Sequence, residues 1–345
     1  MACGSYRCGL ESQAIRNCAN ALRAQVRMQR TIKNSVSFSG IGLHSGVMVD
    51  VEIRPAAANT GIVFCREDLP GSPYIAAKAD NVLDTQLATR IGTKDAWVST
   101  IEHLMAAFFG FGIDNAIVSL NNYELPIVDG SAMPFLVLLD EAGIQELATP
   151  RKWIRIKNSI EIVDEKDPTR FIRVESSRIP MLSYAIDFKN SKHIGIQNIS
   201  TPLTGQSVFE ELCFARTFCL AEEISYMQSK GLARGGSLEN AVVVSSKDGV
   251  LNREGLRAQD EFVRHKMLDC VGDLALIGMP IIGHVIAHKA GHDLHTALAK
   301  QILQNLSQHE VLQSAREISN YSALMNFPKS LSQFDGLPNF KWAIG

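Results

Sequence analysis

The sequence predicts an α+β fold, with sheet packed against helices in a chain long enough for two domains. Three observations carry that expectation. Segments of strand-like alternation and helical periodicity follow one another without strict β-α-β-α order, which disfavours a doubly wound parallel sheet. The 345 residues are 46% hydrophobic and 20% charged, the composition of a globular chain with a sizeable core. No apolar run is long enough for a membrane span, which needs about 20 residues. The best candidate, Leu274 to Ile286, has 13 residues and is interrupted by Gly278, Pro280, Gly283 and His284. The second, Leu104 to Leu120, is cut by Gly110, Gly112 and Asp114.

Taken in order, residues 1–30 hold Arg7, Arg16, Arg23, Arg27 and Arg30 against one acid, Glu11. They lack a secretory apolar region, and residues 1–28 are expected to be a disordered basic extension. The same composition would suit an organelle transit peptide. Residues 31–55 alternate as two strands around the turn Gly40-Ile41-Gly42-Leu43-His44-Ser45-Gly46, and Gly61-Ile62-Val63-Phe64 is a third. Residues 98–109 predict a helix, 116–120 a strand, and 135–142 a helix after the turn Asp129-Gly130-Ser131. The basic segment Thr149-Pro150-Arg151-Lys152 is expected to link two halves, 29–149 and 150–305. In the second half, 153–163 and 171–188 predict strands, 207–230 contains helix, and 241–245 a strand. A long helix follows over 255–276, then a strand over 281–288 and a helix over 293–306. Residues 306–345 are polar and expected to form a tail. No repeat of fixed period is visible.

Lysine plus arginine number 34 and aspartate plus glutamate 36, for a net charge of −2. That balance lacks the basic excess of a nucleic-acid binder. Seven cysteines, an odd count with no C-x-x-C, disfavour both a disulfide framework and a cysteine zinc cluster. They fit a reducing compartment and small core side chains.

The histidines carry the chemistry. On the helix 255–276, with about 100° per residue, Asp269 and Asp273 fall within about 80° of His265. Val263, Met267, Cys270, Val271 and Leu274 gather on the opposite side. The polar stripe suits a solvated face, with a His–Asp pair of a few tenths of a kcal/mol. It equally suits two metal ligands, since residues i and i+4 sit one above the other. Gly272 within that helix costs about 1 kcal/mol relative to alanine and points to close approach by a neighbouring element. A third ligand is available in Ser99-Thr100-Ile101-Glu102-His103-Leu104. There Ser99 and Glu102 have capping-box spacing, and both Glu102 and His103 are expected at an exposed helix entrance. A carboxylate next to a ligand histidine is how metallohydrolases place a base. The H-E-x-x-H peptidase signature is absent: His309-Glu310 is followed by Gln313 where a histidine is needed. Gly291-His292-Asp293 opens the next helix, whereas His284 and His288 share a strand face and are expected to be structural.

Six segments in order then carry a resemblance. They are Gly42-Leu43-His44-Ser45-Gly46, Ser99-Thr100-Ile101-Glu102-His103-Leu104-Met105, Pro126-Ile127-Val128-Asp129-Gly130-Ser131-Ala132, Ala215-Arg216-Thr217-Phe218, His265-Lys266-x-x-Asp269-x-x-Gly272-Asp273 and Gly291-His292. Together they resemble the UDP-3-O-acyl-N-acetylglucosamine deacetylases, zinc enzymes of lipid A synthesis in Gram-negative bacteria. The resemblance spans roughly residues 29–302. It implies zinc ligands His103, His265 and Asp269, a general base Glu102, and His292 as the group that stabilises the oxyanion and protonates the leaving amine. It places Lys266 and Asp273 at positions that bind substrate and tune His292. Thr217 is placed near the reacting carbonyl with Phe218 beside it, and His44 and Leu87 at substrate contacts. The implied fold is two α+β sandwich domains packed face to face with the site between them, and an insert near 207–240 forming an acyl passage. The implied partner is the UDP-3-O-acyl-GlcNAc substrate, in a bacterial cytoplasmic enzyme that meets a membrane surface only through its acylated substrate. The residue types alone leave open a zinc amidohydrolase acting on another acylated amide, or a non-catalytic lipid-binding protein.

Overall fold

The computed structural model describes residues 27–313 and 327–333. The expected extension at 1–28 lies outside them save for its last two residues, as does most of the expected tail. Two five-stranded sheets organise the chain. The first runs in the order Val36–Ile41, Met48–Pro55, Ala116–Leu120, Ile62–Arg66, Tyr74–Ala76. The second runs Ile160–Val163, Phe171–Glu175, His284–His288, Met181–Phe188, Gly195–Pro202. In each, the last strand in sequence inserts at the centre, antiparallel to one neighbour and parallel to the other. The two halves therefore share one topology although no repeat is visible in the sequence.

Each central strand sits between two helices in the chain. Helix α1, Glu102–Phe111, precedes Ala116–Leu120, and α2, Met133–Ala142, follows it. Between the two sheets' central elements, Phe218–Leu220, Val242–Ser245 and Gly249–Val250 form a small sheet beside helix α3, Ala221–Ser229. Helix α4, Glu261–Leu274, precedes His284–His288, and α5, His292–Gln304, follows it. The strands of both sheets alternate buried and partly exposed residues, so each sheet keeps one face for the core. One continuous apolar core joins both halves through α1 and α4.

Several local expectations are corrected. The first helix starts at Glu102, because Trp97–Ser99 is a strand and Thr100 turns the chain with φ +60°. It ends at Gly112, whose left-handed conformation closes the last turn. The capping box does not form; Glu102 is the first helical residue and its carboxylate accepts instead from the Thr89 amide at 3.1 Å. The helix expected from 255 starts at Glu261 and tightens to a 3₁₀ turn over Ala275–Ile277. Within 207–230, a π-helical turn over Val208–Leu212 and the strand Phe218–Leu220 precede α3.

The segment expected as a linker is structured. Ile144–Pro150 pairs antiparallel with Met28–Ile32, and buried Arg151 donates from Nε to Asp114 Oδ2 at 3.0 Å. Two parts of the expected tail are also held. Glu310–Leu312 pairs antiparallel with Trp153–Arg155, and Phe327 joins Trp153, Ile282 and Leu312 in a small apolar cluster. Arg30, itself buried, donates to the carbonyls of Phe327 and Pro328. Unsatisfied backbone carbonyls and a buried guanidinium thereby solve one another's problem. Cys65, Cys213, Cys219 and Cys270 are free thiols, three of them buried.

Candidate active site

Helices α1 and α4 pack so closely that a side chain does not fit between them at one point. A Cβ added to Gly272 would lie 2.0 Å from the Glu102 carbonyl oxygen. The glycine that weakens α4 thus lets it reach the first turn of α1. The stripe His265, Asp269 and Asp273 faces this junction and not solvent. Glu102, His103, His265 and Asp269 are only 2–4% exposed, so the expected exposed helix entrance is in fact interior. Polar groups this deep cost several kcal/mol unless paired or ligating.

The pairing is specific. Asp269 Oδ1 lies 3.4 Å from His103 Nε2 and 3.4 Å from His265 Nε2, with the two rings edge-on at 5.1 Å. His265 Nδ1 lies 3.1 Å from the Ala215 carbonyl, so its proton is drawn there and the Nε2 lone pair faces the cluster. Burial pushes the His265 imidazolium down to about 3, against the pull of Asp269, and keeps the ring neutral. Burial works against the Asp269 carboxylate too, but the charged Lys266 beside it outweighs this and holds its carboxyl well below the usual range. Lys266 Nζ donates to Asp269 Oδ2 at 3.0 Å. Three ligand atoms within 4.8 Å of one another, two imidazole nitrogens and a carboxylate oxygen, suit a divalent transition metal.

Beside this cluster stands a second one. His292, the first residue of α5, directs Nδ1 to Asp273 Oδ2 at 2.7 Å. Burial disfavours its imidazolium, but Asp273, Asp269 and Glu102 outweigh that and push it up to about 9. His295 directs its own Nδ1 to the same Asp273 oxygen at 2.9 Å, and Thr89 Oγ1 donates to Asp273 Oδ1 at 2.5 Å. Asp273, His292 and His295 also have metal-binding proximity. Their facing atoms, however, are already joined by hydrogen bonds of 2.7–2.9 Å, whereas Asp269 Oδ1 stands 3.4 Å from each imidazole Nε2 of the first cluster, with Lys266 bonded to the other oxygen. The first cluster is therefore the metal candidate. Glu102 is placed between the two; burial raises its carboxyl pKa, and His292 and His103 partly offset the rise.

The other expected residues surround these clusters. Phe218 packs edge-on to His265 at 6.3 Å and to Phe262 at 4.9 Å, and Lys266 Nζ lies 5.8 Å from its ring centre. Thr217 precedes it, its amide donating to Gly130 and its carbonyl accepting from Val242. His44 is held by its amide, which donates to Glu124 Oε1 at 2.8 Å. Its Nε2 is buried without a protein partner among the described residues, a group free for a ligand. Burial lowers its pKa, so the ring is neutral. Leu87 has φ +63° and is half exposed next to His44. His284 and His288 lie on the second sheet, bonded to Ser183 and Thr169, away from both clusters.

Sequence reasoning missed Thr89, Tyr184 and the role of His295. Thr89 arrives from the loop before the strand Arg90–Gly92 and Tyr184 from the strand Met181–Phe188, and neither leaves a local signal. His295 did leave one: it stands three residues after His292, on the same face of α5.

A buried two-histidine, one-carboxylate trio beside a raised carboxyl and a charged His–Asp pair has the makings of a metal-assisted hydrolase. The comparisons narrow the class. A family model described as UDP-3-O-acyl N-acetylglycosamine deacetylase matches residues 29–304, and the chain belongs to that family. Proteins named UDP-3-O-acyl-N-acetylglucosamine deacetylase are similar along most of their length. The one from Helicobacter hepaticus is 48% identical over 284 residues, 82% of this chain and 93% of that protein. That of Wolinella succinogenes is 44% identical over 284 residues, with the same shares covered. That of Citrifermentans bemidjiense is 44% identical over 301 residues, 87% of this chain and 97% of its own.

Proposed function

We propose that the protein is a zinc-dependent hydrolase that removes the N-acetyl group from UDP-3-O-(3-hydroxyacyl)-N-acetylglucosamine. It yields acetate and the free amine, the committed step of lipid A synthesis. The observation that carries the reading is the convergence of His103, His265 and Asp269 beside Glu102, opposite the His292–Asp273 pair. Zinc, when held by those three residues, supplies a Lewis acid that polarises the amide carbonyl and makes water more acidic.

The chain's own residues do the rest. Glu102, with its proton affinity raised by burial, takes the proton of the attacking water. His292 enters as imidazolium, stabilises the oxyanion as it forms, and passes its proton to the leaving nitrogen. Asp273 keeps it charged. The Thr217 hydroxyl supports the reacting carbonyl. Lys266 is the cation near it, serving the substrate's anionic groups. His44 and Leu87 contact the sugar nucleotide, and Phe218 opens an acyl passage built from the 207–240 insert. We take the site to lie between domains 29–149 and 150–305. No helix among the described residues is long and apolar enough to cross a membrane. A substrate activated with UDP places the enzyme in the bacterial cytoplasm in this reading.

The test is deacetylase activity on the UDP-3-O-acyl sugar before and after chelation, with zinc restored. Activity lost and regained with zinc is expected. His103→Ala and His265→Ala should strip the metal and abolish turnover; a full zinc complement in both variants would overturn the ligand assignment. A non-catalytic lipid-binding protein would show neither turnover nor stoichiometric metal.

A further inference from the structure

The group that holds His292 is itself held, by residues the reaction does not use. Asp273 Oδ2 faces two imidazoles, His292 Nδ1 at 2.7 Å and His295 Nδ1 at 2.9 Å. His295 is fully buried, and the reaction proposed above gives it no part. Its far nitrogen, Nε2, lies 2.8 Å from the Tyr184 hydroxyl, which also reaches the Ala290 carbonyl at 2.8 Å. Tyr184 belongs to the strand Met181–Phe188, in the second sheet. A chain of groups thus runs from that sheet through His295 and Asp273 to His292.

The protons along this chain are fixed by elementary accounting. Burial keeps His295 neutral, so it has one N–H. A lone pair pointed at the Asp273 carboxylate would be repelled, so the N–H is on Nδ1 and donates to Oδ2. Nε2 is then an acceptor, and the single Tyr184 hydroxyl hydrogen, within reach of both Nε2 and the Ala290 carbonyl, is shared between them. Asp273 consequently receives His292, His295 and Thr89. Each donor beyond His292 draws electron density from the carboxylate and reduces its hold on the His292 proton.

We propose that His295, oriented by Tyr184, is a positioning residue that shares Asp273 with His292 and so strengthens His292 as an acid. The proposal rests on the general-acid role of His292 given above. Asp273 alone, buried beside an imidazolium, would hold the proton too tightly for donation to the leaving amine. A second donor on the same oxygen loosens it and fixes the carboxylate's orientation. Other charged or titratable groups face this pair. They are Asp269 and Cys270 from α4, Glu102 from α1, His44 from the Gly40–Gly46 turn, and Tyr184 from the sheet. None of these but Tyr184 touches His295 in the hydrogen-bond pattern.

Three substitutions separate the parts of His295. His295→Leu removes both nitrogens. His295→Asn places an amide N–H where Nδ1 stands and loses the reach to Tyr184. His295→Gln extends toward Tyr184 and loses the donor to Asp273. Their kcat, KM and pH profiles are measured on the zinc enzyme with the UDP-3-O-acyl sugar, and metal content is checked in each. His295→Leu and His295→Gln should move the basic limb of kcat/KM upward by at least about half a pH unit. They should lower kcat about tenfold with KM and zinc unchanged. His295→Asn should restore the wild-type limb. If His295→Leu does not fold, the contrast between the Asn and Gln variants carries the same information. A limb unmoved in the Gln variant, or moved equally by all variants that fold, overturns the proposal. His292→Ala is run alongside: if it keeps the basic limb, the general-acid reading has failed, and not the part assigned to His295.

Discussion

A carboxyl group acts as a base near neutral pH when its proton affinity is raised, and burial in the first turn of α1 does this for Glu102. Replacement by glutamine keeps the shape and removes the base. Glu102→Gln should lose about 10²- to 10⁴-fold in kcat while retaining metal. Near-normal kcat with full metal would reduce Glu102 to a helix residue that bonds the Thr89 amide. His292 behaves in the opposite sense. Its folded pKa is pushed up to about 9, above the ordinary imidazole value near 6.5. The ion pair with Asp273 therefore adds stability that is fully present below about pH 6.5 and lost as pH rises through about 9. Urea unfolding of metal-free wild type and His292→Ala should show a stability difference that shrinks across that window. A difference constant with pH would mean the pair is not charged. These roles were readable in part from spacing alone: His265 and Asp269 at i and i+4 can grip one ion whatever surrounds them. That their stripe is buried was not readable, since a polar helix face has the same pattern whether it meets water or a partner helix.

At the scale of elements, the junction of α1 and α4 decides whether those residues meet. Gly272 leaves no room for a methyl group against the Glu102 carbonyl. Gly272→Ala should destabilise the protein by about 1–3 kcal/mol through overpacking, even though alanine is the better helix former. It should also weaken metal retention, because pushing the helices apart separates His103 from His265 and Asp269. Thermal unfolding and metal analysis check both; a variant more stable than wild type would mean the helices do not rely on that contact. The cost of a mid-helix glycine was visible in the sequence, and so was the close approach it implied. The start of α1 was not, because the capping-box spacing at Ser99 is a local signal and a strand through Ser99 overrode it. The helix boundary at Glu261 and the π-turn at Val208–Leu212 likewise answer to packing and not to periodicity.

Across the whole molecule, the α+β class follows from the alternation of patterns, but the twin five-stranded sheets do not. Their shared order depends on long-range pairing, and no repeat in the sequence announces it. The parts of the tail that fold were also hidden: Phe327 belongs to no periodic pattern, and Trp153 and Arg151, which supply its pocket, are far away in sequence. The small sheet and α3 lie in the segment proposed to form the acyl passage, with Phe218 packed against His265. Each buried methylene contributes up to about 0.8 kcal/mol. Shortening the 3-O-acyl group to acetyl should therefore cost several orders of magnitude in kcat/KM. Phe218→Asp should reproduce part of that loss for long chains only. Equal kcat/KM for long and short chains in the wild type would leave no function for the passage.

The three candidate ligands are divided unequally between the halves, His103 from the first and His265 with Asp269 from the second. During synthesis, the first half leaves the ribosome with a single ligand. The second half, once made, brings two ligands but not a closed trio. The third coordination contact appears only when α4 seats against α1, after nearly the whole chain has been translated and the longest loop has been closed. An ion held with full affinity would thus be a certificate of completed assembly: a stalled or half-folded chain offers at most two of the three ligands.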